Sequence, residues 1–147
     1  GNWGSLAALP AGWLLHTAGG FPLFLLGLVL AAALGWQATA RYLIANAAPD
    51  APDDPSEVIV DELAGQLLAL APLSLGLAMS GSTANIAALW PGWVMAFVVF
   101  RALDILKPWP VSRAERLPGA AGVMADDLVA GAIAAVLVAA AAALAHA

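Results

Sequence analysis

Charge is sorted along this chain into two windows. Every Asp, Glu, Lys and Arg falls either between Arg41 and Glu62 or between Arg101 and Asp127, and residues 1–40, 63–100 and 128–147 carry none. A helix needs about 20 apolar residues to cross the hydrocarbon of a bilayer. Phe21 to Ala40 is long enough for one crossing and Leu128 to Ala147 for another. The middle run is long enough to go across and return. It is punctuated by Pro72, by Gly81-Ser82-Thr83-Ala84-Asn85 and by Trp90-Pro91-Gly92, so a helical hairpin is expected there. Parity then puts both charged windows on one side. Ser5 to Leu15 is short for a crossing, and His16-Thr17-Ala18-Gly19-Gly20 reads as its turn. This first run is expected to dip into the membrane or tilt. If it crosses and Phe21 to Ala40 returns, Gly1 to Ser5 joins the charged side.

Composition sharpens the picture. The 147 residues are 63% hydrophobic and 10% charged, with mean hydropathy +0.89, whereas soluble domains carry about 25% charged residues. The expected fold is all-α: a polytopic membrane bundle of about four to six helices, formed by residues 1–147 as a single domain. No repeat divides the chain. It starts at Gly1 with no secretory signal pattern, and a short upstream segment is expected to be missing. Four of the five basic residues, Arg101, Lys107, Arg113 and Arg116, lie in the second window and Arg41 opens the first. Basic residues favour the cytoplasmic side, so the charged face is expected there. Without cysteine there is no thiolate chemistry and no disulfide. The net charge of −5 argues against nucleic acid, which needs clustered Lys and Arg.

The windows carry the candidate chemistry. Asp54-Pro55-Ser56-Glu57 reads as a helix start with a capping box. From there Asp61 and Glu62 fall about one and a half turns in, at the border of an uncharged run, where no cap needs them. They are either a short solvated acidic face or a site. Arg101, Asp104 and Lys107 recur every three residues, one polar stripe on a helix starting near Pro91 and stopped by Pro108 and Pro110. That stripe is either an ion pair with a snorkelling lysine or part of the same site. Asp126 and Asp127 head an apolar run. One acid suffices at a helix start; two repel by about 4 kcal/mol at about 4 Å and an effective dielectric near 20, unless a cation neutralises them. Carboxylate oxygens suit Mg²⁺, which completes its shell with water and substrate phosphate. Arg101 and Lys107 would then meet phosphate oxygens. His16 and His146 fall away from the charged face and read as interfacial.

These residues resemble the phosphatidylglycerophosphatase A family. The resemblance rests on Gly1-Asn2-Trp3-Gly4-Ser5-Leu6, Val60-Asp61-Glu62-Leu63-Ala64-Gly65, Phe100-Arg101-x-x-Asp104-x-x-Lys107-Pro108-Trp109-Pro110 and Gly122-x-Met124-x-Asp126-Asp127-x-x-Ala130-Gly131, in this order. It implies a Mg²⁺-dependent lipid phosphatase of the bacterial inner membrane that acts on phosphatidylglycerophosphate at the cytoplasmic face and releases phosphatidylglycerol. It further implies that Asp61, Glu62, Asp126 and Asp127 hold the metal, with Asp104 as a further ligand or the base that positions water. Arg101 and Lys107 would bind the phosphoryl group, with the backbone of Gly4 and Ser5 assisting. Two rivals stand beside this reading. A transporter or scaffold with a charged vestibule would be expected to keep an ionisable group within its spans, and none is present there. A Mg²⁺-dependent lipid phosphotransferase of one common class would show a D-G-x-x-A-R block, which is missing.

Overall fold

A computed structural model describes residues 3–45, 47 and 58–147, and among these residues there is no strand. The helix start expected at Asp54 to Glu57 lies outside the described residues. Helix α1 is Trp3–Ala45, α2 Val58–Ser80, α3 Trp90–Leu106, α4 Val111–Ala114 and α5 Ala120–Ala145, with a 3-10 helix, Ile86–Leu89, before α3. Four of these segments are long and apolar enough to cross a membrane. Leu26, Val29, Leu30, Leu34, Val94, Val98 and Val136 are exposed around the outside, which suits lipid rather than water as the surrounding medium. The protein is an all-α membrane bundle.

Helix α1 is bent double. Gly19 and Gly20 leave helical geometry, and Gly20 takes φ 65°, a left-handed conformation that only glycine adopts without strain. A Cβ on Gly27 would fall 2.5 Å from Leu15, and one on Gly12 would fall 3.2 Å from Phe24. Those contacts require the two arms, residues 3–18 and 21–45, to run antiparallel. The first run thus folds back on the second as a helical hairpin, with Gly19 and Gly20 as its turn.

The first arm lies alongside α2 and runs the same way. Gly4 packs on Glu62, Gly12 on Leu70, and His16 is hydrogen-bonded to Ser74 at 2.6 Å, all at one sequence offset of 58 residues. This steady register places small residues of the arm against larger ones of α2, the packing that brings helices close in a membrane.

The expected hairpin forms from α2 and α3, with one change. Pro72 sits inside α2 and does not end it, because membrane helices tolerate the lost N–H where neighbouring helices cover the freed carbonyl. The reversal comes at Gly81, with φ 61°, and at Asn85, whose side-chain oxygen accepts from the Ala87 N–H at 2.9 Å. Pro91 then enters at the first turn of α3, where its missing N–H removes no helical bond.

Helices α2 and α5 meet at glycine. A Cβ on Gly131 would collide with the Gly65 carbonyl oxygen, and one on Gly65 would come 2.6 Å from the Asp127 carbonyl and 2.7 Å from the Phe100 ring. The two backbones can touch only because neither position carries a side chain. Phe24, Phe100, Leu67, Leu70 and Val138 fill the core around this crossing.

Candidate active site

The glycine crossing determines where the acids go. Asp61 stands one helical turn before Gly65, and Asp127 one turn before Gly131, so the close approach of α2 and α5 carries both carboxylates into one region. Asp61, Glu62, Asp126 and Asp127 are all buried. Asp127 lies within electrostatic reach of Asp61, Asp104 and Asp126. Three distant pieces of chain thus meet on the side of the bundle where α2 and α5 begin and α3 ends.

The doubled acids share a local arrangement. Asp61 Oδ1 accepts the Glu62 N–H at 3.0 Å, and Asp126 Oδ1 accepts the Asp127 N–H at 2.9 Å. The first acid of each pair is fixed against its own backbone. Helix α5 begins at Ala120, six residues before Asp126, so this pair is not the helix start that the sequence suggested.

Both cations are engaged. Arg101 Nη1 donates to Asp104 Oδ2 at 2.6 Å, to Glu62 Oε1 at 3.3 Å and to Ser5 Oγ at 3.5 Å. The intrahelical pair with Asp104 is present, and Arg101 also ties the first arm of α1 to α2. Lys107 leaves the expected stripe: α3 ends at Leu106 and Lys107 takes φ 44°, its N–H closing on the Leu103 carbonyl at 2.9 Å. This turn swings the ammonium to Asp126 Oδ2 at 2.9 Å and to Glu115. Partial burial works against its charge, but the hydrogen bonds to Glu115 and Asp126 outweigh it and hold the Lys107 pKa above the ordinary lysine range.

Gly4 and Ser5 reach the same place by different means. A Cβ on Gly4 would strike the Ile59 carbonyl oxygen and fall 2.7 Å from Glu62 Cβ, so Gly4 permits the arm to touch α2. Ser5 is fully buried and offers its hydroxyl oxygen to Arg101. His16 lies toward the opposite end, on Ser74, and His146 caps the far end of α5.

Some buried polar atoms have no partner: Asp61 Oδ2, Asp127 Oδ1 and both amide atoms of Gln66. Such a group loses its hydration and gains nothing in return, at a cost of about 1–3 kcal/mol each, more for a charge. Two of them belong to the acid cluster, and hard oxygen donors are what Mg²⁺ selects. Among the described residues no three Asp, Glu or His side chains form a ready cation cage.

A family model described as phosphatidylglycerophosphatase A matches residues 1–142. The chain belongs to the phosphatidylglycerophosphatase A family. It is 36% identical over 138 residues to phosphatidylglycerophosphatase A of Escherichia coli strain K12, a match covering 92% of this chain and 69% of that protein. It is 32% identical over 141 residues to phosphatidylglycerophosphatase A of Haemophilus influenzae, covering 94% and 76%. No solved structure matches it.

Within this member of the phosphatidylglycerophosphatase A family, sequence reasoning missed the pairing of Glu115 with Lys107, the buried Gln66 amide and the contact of the glycine pair. Glu115 lies in Arg113-Ala114-Glu115-Arg116, which reads as a solvated charge run. A lone Gln66 in the apolar run 63–71 was a usable signal, since a polar side chain within a span is costly to bury without a partner.

Proposed function

We propose that this protein is a lipid phosphatase that removes the terminal phosphate of phosphatidylglycerophosphate and leaves phosphatidylglycerol, with Mg²⁺ held by its acidic residues. The observation that carries this reading is the convergence of Asp61, Asp104 and Asp127 with two buried carboxylate oxygens left unpartnered. Family membership and the names of the two relatives support the substrate. A transporter gains no support from an acid cluster at the head of the spans rather than along them.

Asp61, Glu62, Asp126 and Asp127 would hold the metal, a role that the unpartnered oxygens of Asp61 and Asp127 suit. When bound, Mg²⁺ acidifies water and offsets charge on phosphoryl oxygens. The remaining work falls to the chain itself. Arg101 presents a planar fork to phosphoryl oxygens, and Ser5, Glu62 and Asp104 hold that fork in orientation. Lys107 adds a point charge, steadied by Asp126 and Glu115. Asp104, close to Asp127 and partly exposed, would serve as a further ligand or as the base that positions the attacking water. The product keeps its acyl chains in the membrane throughout.

We place the reaction at the cytoplasmic face of the bacterial inner membrane, because the basic residues lie on the site's side. The test is phosphate release from phosphatidylglycerophosphate in detergent micelles by purified protein, with and without Mg²⁺. Wild type is expected to be active only with Mg²⁺, and Asp127→Asn inactive while its helical circular dichroism is retained. Undiminished release after chelation would overturn the metal assignment.

A further inference from the structure

Two cations on the site's side take no part in the acid cluster. Arg113 and Arg116 form no salt bridge among the described residues, whereas Arg101 and Lys107 each hold two carboxylates. Glu115 stands between them in sequence and is the obvious partner for either, yet its carboxylate is turned to Lys107. Val111 is fully buried and anchors α4 to the bundle. The segment therefore faces two ways, with Val111 and Glu115 toward the cluster and the two arginines away from it.

The arginines do not simply fan out into water. With Trp109, Ser112 and Leu117 they line a concavity of about 520 Å³, within the range of about 300–1,000 Å³ common for small-ligand sites. Trp109 is 75% exposed and Leu117 50% exposed, so its wall is partly apolar surface open to the surroundings. The concavity lies between the end of the α3 span and the start of the α5 span, which is the headgroup level of a bilayer. Tryptophan and leucine there suit glycerol backbone and upper acyl chain, while guanidinium forks and a serine hydroxyl suit phosphate oxygens. A general preference for basic residues on the cytoplasmic side explains the charges but neither the concavity nor the withdrawal of Glu115.

We propose that Trp109, Ser112, Arg113, Arg116 and Leu117 form a second, non-catalytic site that binds the phosphodiester headgroup of an anionic membrane phospholipid. Its lining side chains are not those of the acid cluster, and it takes its ligand from the surrounding bilayer. Because Glu115 directly follows α4 as its C-cap, an occupied site would hold in place the segment that steadies Lys107.

The test uses the purified protein in uncharged detergent micelles, titrated with dibrominated phosphatidylglycerol or dibrominated phosphatidylcholine. The signal is the bromine quenching of fluorescence that disappears in Trp109→Phe. The anionic lipid is expected to quench at lower concentration than the zwitterionic one. Arg113→Gln/Arg116→Gln is expected to weaken that preference about tenfold or more, since each basic residue near a lipid surface contributes substantially. Arg101→Gln, which alters the acid cluster, is expected to leave it unchanged, and thermal melts establish that each variant is folded. Arg113→Lys/Arg116→Lys, which keeps charge but not the fork, is expected to fall between. Equal quenching by the two lipids, or loss of quenching in Arg101→Gln but not in the double variant, overturns the proposal. Displacement of the lipid by millimolar inorganic phosphate would likewise overturn it, showing a site for a free anion.

Discussion

The two ends of α2 handle buried polarity in opposite ways. Toward its far end Ser74 is fully buried, and His16 from the first arm of α1 meets its hydroxyl at 2.6 Å. Toward its near end Asp61 and Gln66 are equally buried, yet Asp61 Oδ2 and the whole Gln66 carboxamide have no partner. Both ends belong to the same helix, pack on the same arm and lie in the same apolar surround. The difference teaches that the far end satisfies its buried polar group within the protein, while the near end leaves carboxylate and amide atoms without a protein partner, as the proposed site requires.

That contrast can be broken most severely at the near end. Asp127→Asn is expected to lower phosphate release about a thousandfold, about 4 kcal/mol of barrier, with little change in melting temperature; an equally active variant would remove Asp127 from the site. Next in size is Gly131→Leu, whose side chain must displace the Gly65 carbonyl. Forcing bulk into this crossing is expected to cost about 1–3 kcal/mol of stability and to part Asp61 from Asp127. Thermal melting with parallel assays would reveal both losses, and a stable variant would mean that α2 and α5 can separate without harm.

Gln66→Leu sharpens the comparison. If Gln66 were architectural, an apolar replacement of similar size would gain about 1 kcal/mol by removing an unsatisfied amide and leave phosphate release alone. We expect the gain in melting temperature together with a several-fold fall in kcat. At the far end, Ser74→Ala is expected to cost about 1 kcal/mol and nothing in activity, because it only deprives His16 of a partner. The smallest effect is expected from Glu115→Gln. Its pair with Lys107 is partly exposed, so less than about 1 kcal/mol is at stake. Lys107 has a raised pKa, so whatever the pair contributes is present below the ordinary lysine pKa and is lost only as pH climbs through the raised value. Alkaline melts of the wild type and this variant would show it.

The helical bundle and the side of the membrane shared by its charges were legible in the sequence because charge segregation is a one-dimensional property. The acids, Arg101 and Lys107 were legible as candidates for the same reason: each stands at the edge of an uncharged run. What was not legible depends on a partner distant in sequence. Nothing local to Lys107 says that it will turn left-handed and reach Asp126, and nothing local to Glu115 says that it will follow. Pro72 reads as a break until neighbouring helices are known to cover its turn. Gly65 and Gly131 could be quoted as parts of a resemblance, but their reason, backbone against backbone, exists only once α2 and α5 cross.

The spacing between each acid and its glycine now has a mechanical meaning. Asp61 precedes Gly65 by four positions and Asp127 precedes Gly131 by four, so each carboxylate is clocked from a fixed pivot. One extra residue between pivot and acid would rotate that acid by about 100° around its helix axis and push it about 1.5 Å outward, leaving the fold intact and the cluster dismantled. Insertions in the turn at Gly81 to Asn85 move neither pivot. Length variation should therefore be tolerated at that reversal and forbidden across these two short intervals.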